Sequence, residues 1–263
     1  MASELAGLLT GAQEGLPGLA LVGARLLPLV WLVPFFGGRT LPALPRTGLW
    51  IALTIGLAPV APVAAAAPPA GLALLPLVGL ELLRGAVAGV ALALPFHAFE
   101  WAGRLVDLWR GSSLGAELVD PTTGESASPL GVFYRLLAVA AFVVVGGHRA
   151  ALRALGEGLR RSPPGTTAGA EPGLGAVVDG VGRLFADALA LTLAVAAPAA
   201  VALLLAEVVL GLVGRAAPQL PVFFAGMPLR AAAALAALAL SLSLALRALG
   251  ETVAAALLVI AGG

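Results

Sequence analysis

Two long stretches without a charged residue constrain this chain more than any other feature. One runs from Arg46 to Glu81 and the other from Asp187 to Glu207. A helix needs roughly 20 apolar residues to cross the hydrocarbon core of a bilayer, and both stretches are long enough. The mean hydropathy is +1.03 and only 11% of the residues are charged, whereas about a quarter are charged in soluble domains. We therefore predict an integral membrane protein.

The fold class follows from how a chain satisfies its backbone in lipid. Only helices and closed barrels pair all their backbone polar groups there, and the long apolar runs lack the alternation of barrel strands. We predict an all-α fold in a single integral membrane domain over residues 1–263, with helices kinked or divided by prolines. Gly85 and Gly89 allow close approach between helices. About six helical units are predicted, at 16–36, 47–67, 70–99, 129–147, 185–213 and 228–260.

Three polar segments interrupt the apolar chain, and the first is GGRTLPALPR at residues 37–46. Residues 107–128 read DLWRGSSLGAELVDPTTGESAS and predict a long polar loop, since their glycines and proline disfavour regular structure. Residues 153–175 are rich in Pro, Gly and Thr, and they predict a flexible linker. Glu100, Arg104 and Asp107 share one helical face just before the loop, which predicts a solvated helix end.

Several charged residues lie within or beside the apolar units. A charge at the bilayer centre costs at least about 2.5–3.5 kcal/mol, so such residues face a partner or a water-filled path. Glu81 with Arg84, and Arg247 with Glu251, have the spacing of pairs on one helix. Local neutralisation is one interpretation, and a small-solute or ion transporter that uses buried Glu/Arg pairs is the alternative. The charges in question are Arg25, Glu81, Arg84, Glu207, Arg247 and Glu251.

The distribution of arginines conflicts with a plain bundle of spanning helices. If the six units alternate across the membrane, Arg39 and Arg46 fall on the same side as Arg104 and Arg110. The arginines of residues 149–161 then fall on the other side. Positive charge normally concentrates on the cytoplasmic side, so we predict a non-standard arrangement, in which either a unit fails to cross or the chain is not a plain bundle of spanning helices.

A catalytic site finds little support in the sequence. Residues 111–115 read GSSLG, a literal G-x-S-x-G, but a nucleophile elbow needs a strand before its serine, and here an apolar helix precedes it. A membrane serine protease with His97 or His148 as base is the remaining catalytic alternative. Two distant histidines and no cysteine make no metal site, and a net charge of +1 makes no nucleic-acid surface. We predict no enzyme, no cofactor and no nucleic-acid partner.

Three stretches carry a resemblance to a known family. They are RLLPL with PFFGGRTLP in residues 25–42, the loop with its D-x-x-R-G, D-P-x-x-G and S-P-L-G, and EVVLGLVGRAAPQLPVFFAGMPLR in residues 207–230. Together they resemble the SctT/FliR family, the single-copy export-gate subunit of bacterial type III secretion systems and of the flagellar export apparatus. Glu207 and the MPLR sequence are more similar to the injectisome branch. The family usually has Asn where Pro221 stands and Gln where Trp109 stands.

The resemblance implies an architecture, a location and partners. Helical hairpins would pack into an export gate of the bacterial inner membrane, with five copies of one membrane subunit and four of another, beside a larger export-gate component. The gate would conduct unfolded secreted proteins, and the central loop of this multi-pass subunit would help to close the pore. The implied loop residues are Arg110, Gly111, Ser112, Ser113, Leu114, Gly115, Asp120 and Pro121. The implied motif residues, for subunit packing or channel lining, are Arg25, Pro34, Glu207, Arg215, Pro218, Gln219, Phe223 and Pro228.

Overall fold

The fold is described from a computed structural model. It describes residues 2–36, 41–61, 74–111, 118–119, 126–166, 174–219 and 222–261. These residues are almost entirely helical, which confirms the predicted all-α fold. The helices are α1 (Ala2–Leu32), α2 (Ala43–Leu57), α3 (Leu75–Trp109), α4 (Pro129–Val144), α5 (Gly147–Arg161), α6 (Leu174–Ala216) and α7 (Val222–Ile260), with short 3₁₀ helices at Pro34–Phe36 and Ala58–Val60.

Four helices are long and apolar enough to cross a membrane. They are Ala43–Val60, Leu75–Trp109, Asp179–Ala216 and Gly226–Ile260, and α4 with α5 makes a fifth candidate as a pair bent by 74°. The chain is therefore a multi-pass membrane protein. The six predicted units correspond approximately to α1, α2, α3, α4, α6 and α7, and α5 is an additional helix.

A proline follows the end of α2, whereas α3 and α6 continue through theirs. Pro95 lies inside α3 and Pro198 lies inside α6, and both helices continue through them. In a bilayer, neighbouring groups can satisfy the backbone carbonyl that a proline leaves free. Pro59 behaves as expected, because α2 ends at Leu57 and gives way to the short 3₁₀ helix that contains it.

The chain forms two compact units where the sequence predicted one domain. Unit 1 comprises Met1–Ala93, Gly146–Leu184 and Val253–Gly263, and unit 2 comprises Leu94–Val145 and Phe185–Thr252. Three helices, α3, α6 and α7, begin in one unit and end in the other. Three of the four boundaries therefore fall inside apolar helices, and the fourth falls at Gly146, between α4 and α5.

Unit 1 is built on close packing between α1 and α3. Leu21, Leu26 and Leu29 on α1 are almost completely buried. A Cβ added at Gly85 would overlap the backbone carbonyl of Arg25, and one added at Gly89 would lie 3.4 Å from the Cα of Leu29. The predicted close approach at these two glycines is thus confirmed, and it brings the backbones of the two helices into direct contact.

The linker predicted over residues 153–175 is wrong for its first part, because residues 153–161 belong to α5. Apolar positions recur there at helical spacing, so one face of the helix packs inward while its arginines stay outside. Residues 162–166 form a turn with Gly165 in a left-handed conformation (φ +85°), and residues 167–173 lie outside the described part. The buried residues of α5 are Ala151, Ala154, Leu155, Gly156 and Leu159.

Unit 2 is held by aromatic contacts and by a second close approach. Phe96 of α3 and Phe142 of α4 meet edge to face, with ring centroids 5.3 Å apart. A Cβ added at Gly103 would overlap the carbonyl oxygen of Leu130 at the start of α4. Thr192 of α6 donates a hydrogen bond of 3.2 Å to a carbonyl of α3. The contacts of Phe96 and Gly103 pack α3 against α4, and the Thr192 bond joins α6 to α3.

The polar segment between α3 and α4 contains a short ladder. Strand β1 (Leu118–Val119) pairs antiparallel with β2 (Ser126–Ala127), with Leu118 opposite Ala127. Residues 107–109 belong to α3, so the helix extends further than the predicted start of the loop. Residues 112–117 and 120–125 lie outside the described part of the chain.

Gly85→Ala tests the close approach in unit 1. We expect a loss of about 1–3 kcal/mol in the free energy of unfolding, because the added methyl forces apart two packed backbones. Gly79→Ala on the same helix is the matched control, since nothing lies within 4 Å of its added Cβ and alanine favours a helix over glycine by about 1 kcal/mol. Thermal unfolding in detergent measures both, and equal midpoints for the two variants would contradict the contact.

Candidate functional site

One carboxylate joins the two ends of the polar segment. Asp107, near the end of α3, is 4% exposed. It accepts a hydrogen bond from the Ser128 hydroxyl and one of 2.9 Å from the backbone N–H of Leu130. Its other oxygen lies 2.7 Å from Arg110. We call Asp107, Arg110, Ser128 and Leu130 the loop clamp.

The local sequence explains why the clamp forms. Ser128 is the N-cap residue of α4, and its hydroxyl oxygen accepts from the N–H of Gly131 at 2.9 Å. The next N–H groups of a helix start have no partner within the helix, and Asp107 supplies one from the neighbouring helix. A negative charge is also favourable at a helix N-terminus. Pro129 at the first position of α4 lacks an N–H and so needs no partner.

A second buried carboxylate, Glu100, precedes the clamp residue Asp107 on α3. Glu100 lies 2.6 Å from Arg104, 3.7 Å from Arg135 of α4 and 3.5 Å from Nδ1 of His97. Glu100 is 5% exposed, so the solvated helix end predicted for Glu100 and Asp107 is wrong. Both carboxylates face α4, which covers them and supplies partners.

The predicted loop residues lie partly within the described structure. Arg110 belongs to the clamp, and Gly111 follows it with φ +77°, a conformation that favours glycine. Trp109 is the last residue of α3 and is 41% exposed. The serine motif cannot be placed, because the remaining predicted loop residues lie outside the described part: Ser112, Ser113, Leu114, Gly115, Asp120 and Pro121.

Unit 1 contains a buried ionic cluster formed by Arg25, Glu81 and Arg84. Glu81 is completely buried, and its two oxygens lie 2.5 Å from Nε of Arg25 and 2.7 Å from Nη1 of Arg84. The prediction that Glu81 pairs with Arg84 on its own helix is confirmed. Sequence reasoning missed Arg25 as a partner, because the two residues are 56 positions apart and no local spacing connects them.

The ionic cluster binds the turn that follows α5 through backbone groups. Arg25 donates to the carbonyl of Ser162 at 2.7 Å, and Arg84 donates to that of Thr166 at 3.1 Å. Glu81 accepts from the N–H of Gly165 at 3.3 Å. The turn is therefore held in place by charged groups of α1 and α3, whatever side chains its own residues carry.

Glu207 and Arg230 form a pair between α6 and α7 in unit 2. Glu207 Oε1 lies 2.6 Å from Arg230 Nε, and Glu207 is about half exposed. In contrast, Arg247 and Glu251 are exposed and no ion pair joins them among the described residues, so the predicted pairing on α7 is wrong.

The remaining motif residues are spread over several elements. Arg215 is in the last turn of α6, and Pro218 and Gln219 follow it as exposed residues. Pro34 begins a 3₁₀ helix beside α1 in unit 1. Phe223 and Pro228 lie in α7, and Pro221 lies outside the described part. Within that part, no three His, Asp or Glu residues are grouped as a metal site requires.

The fold and these clusters define a multi-pass helical membrane protein with buried Arg–carboxylate contacts and a clamped polar loop. Residues 16–256 match the family described as "Bacterial export proteins, family 1". The match covers most of the chain, and the chain therefore belongs to this family of bacterial export proteins. The family resemblance predicted from the sequence is confirmed.

The relatives include secretion proteins and flagellar proteins. The chain is 30% identical to "Surface presentation of antigens protein SpaR" of Salmonella typhimurium, over 78% of this chain and 74% of the relative. It is 30% identical to "Secretion system apparatus protein SsaT" of the same organism, over 83% and 84%. It is 28% identical to "Flagellar biosynthetic protein FliR" of Pectobacterium carotovorum, over 78% and 76%.

Glu81→Gln tests the ionic cluster. Without the carboxylate, the buried charges of Arg25 and Arg84 repel each other, and breaking such a contact costs about 3–5 kcal/mol. We expect a lower midpoint of thermal unfolding and faster tryptic cleavage after Arg161, where the turn begins. Glu251→Gln, which removes an exposed carboxylate, is the control and should leave both measurements unchanged. A variant as stable and as protease-resistant as the wild type would show that the cluster does not hold the turn.

Proposed function

We propose that this chain is the export-gate subunit of a type III secretion apparatus in the bacterial inner membrane. The family, the names of the relatives and the candidate spans support this proposal. The observation that carries its mechanism is the loop clamp, which ties both ends of the polar segment to one carboxylate. The chain performs no chemistry and needs no cofactor. It acts by forming part of a protein-conducting channel.

The partners follow from the same proposal. Five copies of one membrane subunit and four of another assemble with this chain, beside a larger export-gate component, and unfolded secreted proteins pass through. We favour the secretion branch over the flagellar branch, because Glu207 and the MPLR sequence match it and the alignment with SsaT covers 84% of that protein. Energy for export comes from other components of the apparatus.

The length and the polarity of the loop allow it to close the pore. The segment from Gly111 to Ser128 has 18 residues, so a loop fixed at both ends extends its tip by at most about 30 Å. That length is enough to cross a channel built largely from other subunits. Serine, threonine and glycine residues leave such a tip hydrated and free of bulky contacts, and a passing substrate can therefore push it aside.

The clamp separates the fixed base of this loop from its tip. Asp107 accepts hydrogen bonds from the Ser128 hydroxyl and from the N–H of Leu130. These bonds hold the end of α3 and the beginning of α4 together, where the loop begins and ends. Its charge is neutralised by Arg110, which lets it remain buried. In this mechanism a substrate displaces the tip while the base stays in place, and the loop returns when the substrate has passed.

The transporter alternative draws no support from the buried pairs. Glu81 is the most buried charged residue in the described structure, and both of its oxygens are bound by arginines at 2.5 and 2.7 Å. A carboxylate that carries protons or ions must exchange partners with water or substrate. Glu81 instead performs a structural role.

Deleting residues 111–118 tests the plug. We expect the assembled export complex to conduct small ions in the absence of substrate, because the segment that blocks the channel is lost. Planar-bilayer conductance or ion flux in whole cells measures the leak. Replacing the same residues by a Gly-Ser segment of equal length is the control, and it should leak less than the deletion. Conductance equal to that of the wild type would rule out a plug.

Asp107→Asn tests the clamp separately from the plug. The amide oxygen still accepts a hydrogen bond from the N–H of Leu130, but the side chain no longer neutralises Arg110 and binds Ser128 less strongly. The base of the loop therefore loosens, while the loop keeps its length. We expect a leak that is measurable but smaller than that of the deletion, and Ser128→Ala should give a still smaller one. Asp179→Asn, which changes an exposed carboxylate on α6, is the control. A tight channel in Asp107→Asn, together with a leaky deletion, would show that the loop blocks the pore without the clamp.

A further inference from the structure

Helix α5 carries a concentration of positive charge that the proposed function does not use. It contains Arg149, Arg153, Arg160 and Arg161 and a single acid, Glu157. Its charge is therefore +3, whereas the whole chain has a net charge of +1, so the rest of the chain carries −2. Arginines gathered on one short helix of a membrane protein suggest a negatively charged ligand.

Two of these arginines form a distinct pair. Arg149 and Arg153 are four residues apart, so they lie about 6 Å apart along the helix axis and on nearly the same face. Both are exposed, and neither makes an ion pair with another described residue. Glu157 is one turn beyond Arg153 but is bound to Arg161 at 3.1 Å. Like charges at this spacing destabilise a helix unless an anion lies between them.

The opposite face of α5 is fixed within unit 1. Ala151 and Leu155 are buried on that face, and a Cβ added at Gly158 would overlap the carbonyl of Ile260. The turn after the helix is held by the ionic cluster, through the contact of Arg25 with Ser162. The two arginines are therefore presented on a rigid support, which lowers the entropic cost of binding a ligand.

The bend of 74° between apolar α4 and α5 allows this pair to lie near the membrane surface. Arg149 is five residues beyond Val144, the end of apolar α4, and five residues span at most about 17 Å. The exposed side of α5 also carries Leu152, which is 37% exposed beside the arginines. Apolar and arginine side chains together on an amphipathic helix are typical of helices that lie in the headgroup region.

We propose that α5 lies at the membrane surface and binds the phosphate groups of anionic phospholipids through Arg149 and Arg153. This site goes beyond the export function, since it concerns how unit 1 meets lipid. Guanidinium groups bind phosphate oxygens with two parallel hydrogen bonds, and two arginines one turn apart can hold one headgroup between them. An acidic segment of a partner protein is the rival occupant. Such a segment would leave Leu152 without apolar contact, whereas a lipid would cover this side chain, and we therefore favour the lipid.

Native mass spectrometry of the full chain, purified in a neutral detergent, tests the site. We expect the wild type to retain phosphatidylglycerol in preference to phosphatidylcholine. Arg149→Gln and Arg153→Gln should each reduce the retained phosphatidylglycerol by about fivefold, and together by about 25-fold, since one arginine near an anionic surface contributes on that scale. The double variant Arg183→Gln with Arg247→Gln removes the same charge from exposed positions elsewhere, and it should retain wild-type amounts.

Three results would overturn the proposal. One is equal retention of the two lipids by the wild type, a comparison that needs no variant to fold. Another is an equal loss in both double variants, which would indicate attraction by net charge alone. The third is displacement of phosphatidylglycerol by millimolar inorganic phosphate, which would indicate a site for a soluble anion. The unfolding midpoint without added lipid checks that the Arg149 and Arg153 variants are folded.

Discussion

Helix α3 carries the interaction on which both units depend, a buried carboxylate that binds an arginine three residues further along. Glu81 pairs in this way with Arg84, and Asp107 with Arg110. Each carboxylate also accepts a backbone N–H from a connecting segment, at Gly165 in unit 1 and at Leu130 in unit 2. An isolated buried charge costs several kcal/mol, so the arginine on the same helix is what allows the carboxylate to anchor a connection inside an apolar protein.

Close helix contacts make these anchors possible. Lipid tails are as apolar as leucine side chains, so helices in a membrane gain little from hydrophobic burial alone and associate through packing and polar contacts. Gly85 lets the backbone of α1 touch α3, which brings Arg25 to Glu81. Gly103 lets the start of α4 touch α3, which brings Leu130 to Asp107. In each unit a glycine and a carboxylate on α3 act together.

The sequence alone predicts what depends on local pattern. Apolar runs predict the long helices, and i,i+3 spacing predicts the pair of Glu81 with Arg84. Contacts between residues far apart in the sequence cannot be predicted from local pattern. For this reason the sequence does not predict Arg25 as a partner of Glu81, and it predicts a solvated Asp107 that is buried in the structure. The linker prediction was wrong at residues 153–161 because it rested on the Pro, Gly and Thr content of the whole segment, whereas the burial of Ala154, Leu155 and Leu159 at helical spacing marks an amphipathic helix. The same spacing can be read from the sequence.

The amphipathic nature of α5 also bears on the arginine distribution that conflicted with a plain bundle. That conflict assumed that residues 149–161 form a loop between two crossing helices. Residues 149–161 instead belong to α5, a helix with one face packed in unit 1 and arginines on the other, and it is bent by 74° from α4. The anchoring contact of Arg25 with Ser162 explains how such a helix keeps its position. The ionic cluster of unit 1 thus also holds the end of the helix that carries these arginines.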